Sequence, residues 1–163
     1  MLRKALMFLQ LSLLACAIAS AQSPEQEMEV KVKEIFPLVF SKCGEDYFSK
    51  RTMQYRSGEG SYVIGQYKVV TPVIKTERLT SYDILNGVEW KGTVHFKAAS
   101  AREYTHGQQF SPGKAVKNDT WSEWKKPNLA AYTFLIEKKG GVVTSKRRTP
   151  QHLNVIPCSE IPK

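Results

Sequence analysis

The spacing of apolar residues changes character along the chain and divides it into a helical part and a strand part. Met28, Val32, Ile35, Phe36 and Val39 recur at helical spacing, which lines side chains up on one face of an α-helix. Ser23-Pro24-Glu25-Gln26 supplies the start: a capping serine, a proline at the first helical position, and a glutamine where a capping box needs one. Pro37 ends or kinks this helix. Helical character fades toward Phe40, and Cys43-Gly44 marks the exit. After Ser57, β-branched and aromatic residues dominate, with turn residues between runs. Tyr62 to Val70 reads as a strand closed by Pro72, and Val73 to Leu79 as a weaker one. Ala130 to Glu137 and Val142 to Arg148 read as a hairpin about Lys138-Lys139-Gly140-Gly141.

The clearest alternation is Val88 to Phe96, running on toward Tyr104. Val88, Trp90, Gly92, Val94 and Phe96 share one face, and Glu89, Lys91, Thr93 and His95 the other. That is a strand with one buried and one wet side. Ahead of it, Thr80 to Leu85 does not alternate. We read it as a short helical turn capped by Thr80 and Asp83 and stopped at Asn86-Gly87. A type I′ hairpin turn at Asn86-Gly87 is the alternative. Gly92 interrupts the buried face, so either the helix packs closely there, the reading we favour, or a small pocket has its floor there. Thr105 to Asn128 is a long connection rich in Gly, Pro, Ser and Asn, a length that is uncommon unless functional or disordered.

These elements predict an α+β domain: an N-terminal helix packed on a curved antiparallel sheet of about five strands. The outline looks like the cystatin-like and nuclear-transport-factor-like cone folds, which host many functions.

The first residues change the picture of where the protein works. Arg3 and Lys4 precede an apolar stretch from Ala5 to Ala19, and Ala19-Ser20-Ala21 offers small residues for cleavage. This predicts a signal peptide over 1–21 and one exported domain over 22–163, periplasmic or secreted. Leu13-Leu14-Ala15-Cys16 competes as a lipoprotein box, in which case Cys16 is lipidated and anchors the protein to a membrane. Export leaves Cys43 and Cys158 to form one disulfide, worth about 4–5 kcal/mol in the chain-entropy model. Lys and Arg number 24 against 15 Asp and Glu, a formal charge of +9, which favours anionic partners. Export, and the lack of an RNA-binding aromatic motif, argue against nucleic acid.

Candidate chemistry is sparse. No CxxC or HxxxH spacing suggests a metal, and no glycine-rich phosphate loop or nucleophile elbow occurs. We therefore expect no cofactor, no metal and no catalytic residue. Trp121-Ser122-Glu123-Trp124 stands beside Lys125 and Lys126. Aromatic rings with cations can hold a sugar, a nucleotide or a partner's acidic groups, or the rings can fold back and cap the core. With Trp90, these four residues (Trp121, Trp124, Lys125 and Lys126) form the expected binding set. The tetrapeptide also matches part of the cytokine-receptor Trp-Ser box, but Lys125 stands where that box has serine, and we assign the match to chance. The enzymatic rival is a small hydrolase or isomerase using Asp83, Glu89, His95 and Tyr104 inside the cone. Glu89 and His95, however, lie about 20 Å apart along a strand.

Leu85-Asn86-Gly87-Val88-Glu89-Trp90-Lys91-Gly92, with Asp83 ahead of it, resembles a stretch of small secreted bacterial proteins of unknown function. Trp121 to Trp124 and Lys139 to Gly141 are also similar to theirs. The resemblance implies secretion and a compact domain and transfers no activity. The expectation is thus a non-enzymatic exported domain that binds an unknown protein or anionic ligand of the cell envelope through its Trp-containing loop and a sheet face. An inhibitor of an envelope hydrolase is a third reading.

Overall fold

A computed structural model describes residues 22–52, 61–107, 119–148 and 152–163. The expected leader, Cys16 and the middle of the long connection lie outside them. Helix α1 spans Pro24–Ile35 and starts as its sequence predicts. The Ser23 amide donates to Gln26 Oε1 at 3.0 Å, and the Gln26 amide donates to Ser23 Oγ at 3.3 Å. Pro37 does not kink the helix; it sits in a 3-10 turn, Phe36–Leu38, that continues from the helix end. Met28, Val32 and Ile35 form the buried face of α1.

The chain is α+β, and its sheet is antiparallel. The strands are β1 Ser41–Cys43, β2 Asp46–Thr52, β3 Tyr62–Glu77, β4 Val88–His106, β5 Thr133–Lys139, β6 Val142–Arg147 and β7 His152–Asn154. That makes seven strands among the described residues rather than five, since two expected strands merge into β3 and three others appear. The three unforeseen ones, β1, β2 and β7, are short or rich in polar residues, so no apolar alternation announces them. The strands follow one another across the sheet from β1 to β6, while β7 pairs with β2 beside β1. Cys43-Gly44 is therefore not a helix exit. Cys43 ends β1 and Gly44, at φ +65°, makes the turn into β2, where glycine carries no Cβ penalty.

Pro72 does not close its strand either, since β3 runs on to Glu77. The pairing of β2 with β3 begins at Tyr47↔Tyr67. Among the described residues no strand flanks β3 on its β2 side beyond Tyr67, and such an edge is the place in a sheet that tolerates proline. The connection from β3 to β4 holds the expected helical turn, α2 Ser81–Leu85. Thr80 and Asp83 cap it reciprocally, so Asn86-Gly87 ends a helix rather than turning a hairpin.

Side chains change face midway along β3 and β4. Tyr67 and Val70, three residues apart, both enter the main core, as do Ala98 and Ala101 opposite them. A regular strand would send each pair to opposite faces. Val69 makes the change possible at φ +53°. The main core lies on the front of the sheet, and the half formed by residues 62–67 of β3 and 101–106 of β4 carries a second, smaller core on its back. On the front, Phe40, Phe96, Tyr132 and Phe134 pack beneath α1 and its 3-10 turn. On the back, Phe48, Ile64 and Ile156 form a smaller core flanked by Trp121, Tyr104 and Ile161. The Cys43–Cys158 disulfide, with Cα atoms 5.7 Å apart, ties the C-terminal segment to β1 beside that second core.

Candidate functional site

Gly92 settles the choice posed by the buried face of β4. A Cβ built there would stand 2.5 Å from Met28 Sδ and 2.7 Å from the Lys75 carbonyl oxygen. The gap is filled by α1 and is no pocket floor.

The predicted binding residues divide into two groups. Trp90 belongs with α1: its indole N–H donates to Glu27 Oε2 at 3.1 Å, and Lys138 donates to Glu27 Oε1 at 2.7 Å. It lies at the α2 end of β4, away from the other tryptophans. Trp121 to Lys126 instead return along the far half of β4, joined by bridges Tyr104↔Trp121 and Ala101↔Lys125. Trp121 folds back onto the second core, against Phe48 and Tyr104, and donates its N–H to the Pro162 carbonyl at 3.3 Å. Trp124 keeps 37% of its surface exposed.

The cations on these rings come from the sheet, not from the neighbouring lysines. The Arg102 guanidinium sits 4.8 Å from the Trp121 ring centre and 5.1 Å from that of Trp124, and Lys68 Nζ lies 4.8 Å from Trp124. Each such contact is worth about 0.5–2 kcal/mol. Arg102 is held in place by donating to Gln66 Oε1 at 2.6 Å. The ladder continues through Tyr62, with Lys50 Nζ at 4.1 Å on its ring and His106 stacked on it at 4.8 Å. Lys125 pairs with Glu103 at 3.1 Å. Lys126 lines a cleft of about 480 Å³ with His95, Lys97, Leu129 and others. Sequence reasoning missed Arg102 and Lys68 because they sit on strands remote from the tryptophans in the chain.

The four groups of the enzymatic rival do not meet. Asp83 caps α2 and pairs with Lys91 at 2.5 Å; donors from Lys91 and Thr80 lower its pKa to about 2. Glu89 accepts from the Gly141 amide at 2.7 Å. His95 lines the cleft. Tyr104 donates to Asp119 at 3.2 Å, beside His106 at 2.6 Å from the same oxygen. Partial desolvation and the Asp119 carboxylate raise the Tyr104 pKa.

A buried polar cluster was not foreseen. Ser49 Oγ lies 2.5 Å and Tyr67 Oη 2.7 Å from Tyr132 Oη, with Arg51 paired to Glu103 nearby. Burial raises both phenol pKa values, so both stay protonated. Ser49 is 0% exposed, and the network ties β2 and β3 to the 3-10 turn Ala130–Tyr132 that precedes β5. Among the described residues no three His, Cys, Asp or Glu side chains group as metal ligands, and no helix is long and apolar enough to cross a membrane. Compared with protein-family models, curated proteins and solved structures, the chain matches none.

Proposed function

We propose that this is an exported, non-enzymatic binding domain that holds a protein or ligand at the Trp124 side of segment 119–130 and the sheet face behind it. One observation carries the reading: the Trp124 ring stays partly open while two sheet cations, Lys68 and Arg102, stand over it. An open indole in a basic setting suits sugar rings and acidic groups. The leader pattern and the Cys43–Cys158 bridge support export.

The test is native mass spectrometry of the unreduced protein from its host. A non-covalent mass should leave on denaturation. Trp124→Ala should lose that mass while staying folded, with a melting temperature lowered only by the loss of its two cation contacts, whereas Trp121→Ala should lower the melting temperature further because its ring also packs on the second core. Retention of the mass by a folded Trp124→Ala variant sinks the reading. The starting residue also separates a soluble protein beginning at Gln22 from one anchored through Cys16.

A second reading, an inhibitor of an envelope hydrolase, is favoured by α2. This turn exposes Tyr82, Ile84 and Leu85 at 75, 64 and 86%, yet it is fixed by its capping box and the Lys91–Asp83 pair. A rigid apolar tip suits insertion into an enzyme cleft. Leu85→Asp should then relieve inhibition of a purified glycan hydrolase at unchanged stability; equal inhibition by the variant dismisses it.

A further inference from the structure

The cleft lined by Lys126 lies at a break in the sheet. Strand β5 pairs with β4 only as far as His95↔Thr133. The returning segment rejoins β4 at Ala101↔Lys125, with hydrogen bonds of 2.9 and 2.8 Å. Between these points the chain swings away over Lys126 to Tyr132. Among the described residues, the edge of β4 from Phe96 to Ser100 has no strand alongside it on this side. A sheet edge of this kind presents backbone donors and acceptors.

Three properties converge there. Among the described residues, every ionisable side chain lining the cleft, His95, Lys97 and Lys126, is basic. Its remaining wall includes Ala98, Pro127 and Leu129, which are apolar. Its volume of about 480 Å³ falls in the range of small-ligand sites. Lysine ammonium groups and edge amides suit anionic oxygens, and the apolar wall suits a short hydrocarbon body. Resting on the binding reading above, we propose that the cleft takes a small amphiphilic anion, a carboxylate or phosphate ester carrying a short aliphatic or aromatic group.

Titration of the disulfide-bonded protein with hexyl phosphate, hexanol and inorganic phosphate, followed by amide NMR, tests this. Hexyl phosphate should shift the amides of His95, Lys97 and Leu129 in a saturable way. The Lys97→Glu/Lys126→Glu variant should bind it at least about tenfold more weakly with its spectrum otherwise intact, both side chains being exposed. Hexanol saturating the same amides equally well overturns the anionic class while leaving a binding cleft. Inorganic phosphate matching hexyl phosphate overturns the amphiphilic class and reduces the effect to a basic surface. Unshifted cleft amides overturn the site altogether. If the native protein still carries a mass that Trp124→Ala loses, the wider binding reading survives that failure. If that mass is missing too, both fall.

Discussion

Replacing Gly92 by alanine should destabilise the fold, and the geometry sets the size of the loss. The added methyl meets Met28 Sδ and Cε at 2.5 and 3.0 Å and the Lys75 carbonyl oxygen at 2.7 Å. Met28 is 0% exposed, so its thioether has little room to retreat. The carbonyl belongs to β3, where Thr76 pairs with Gly92 itself, and it moves only if the strand moves. Overpacking of this kind costs about 1–3 kcal/mol. The lower chain entropy of alanine in the unfolded state returns about 0.4–1 kcal/mol. A net loss of about 1–2 kcal/mol lowers the melting temperature by roughly 2–8 °C for a chain of this size. Urea unfolding followed by tryptophan fluorescence measures it, with Trp90 as a reporter close to the change. A cycle with Met28→Ala adds a second reading. That change alone costs about 2–5 kcal/mol, but it clears two of the three contacts, so the double variant should be about 1 kcal/mol more stable than additivity predicts. A Gly92→Ala protein as stable as the parent, together with additive costs, would refute close packing of α1 against β4.

Three further outcomes follow from the same structure. Removing the bridge with Cys43→Ser/Cys158→Ser should cost about 2–5 kcal/mol in guanidinium unfolding; a loss under about 0.5 kcal/mol would mean the C-terminal segment is held by packing alone. Asp83 should titrate near 2 in carbon-detected NMR, below its usual 3.8, because Lys91 and Thr80 donate to it. Since the folded value is the lower one, its contribution is present above about pH 4 and is lost as pH falls toward 2. Lys91→Met should move the midpoint upward, and an unmoved midpoint would dismiss the pairing. Tyr132→Phe removes the hydroxyl that joins Ser49 to Tyr67 and should cost about 1–3 kcal/mol. Tyr67→Phe leaves the Ser49 contact intact and should cost less; the opposite order would place the centre of the network elsewhere.

The parts of the fold legible in the sequence are those written in local periodicity. The capping box at Ser23, the turn at Thr80 to Leu85 and the strand over Val88 to Phe96 all specify themselves within a few residues, and each is found where expected, except that Thr93, on the side expected to be wet, is buried. β1, β2 and β7 were illegible because strands such as Ser41-Lys42-Cys43 take their stability from partners distant in the chain. The extension of β3 through Pro72 depends on β2 having already ended, a fact of topology. The site divided in the same way. Trp121, Trp124 and Lys126 stood out as residue types, but the guanidinium on the two tryptophan rings comes from Arg102, and the basic cleft around Lys126 needs His95 and Lys97 from another strand. Ser49, Tyr67 and Tyr132 carry no motif, and only the folded chain brings their hydroxyls together.

The bridge at the end of the chain has a topological consequence. Cys43 and Cys158 are separated by 115 positions, so β2 to β7 lie on one covalent ring, with α1 and the last five residues as tails. A single peptide-bond cut anywhere on that ring yields two pieces that stay tethered. Their re-association is then intramolecular and independent of protein concentration. Such a nicked chain keeps its strands within reach of one another wherever a protease cuts the folded protein.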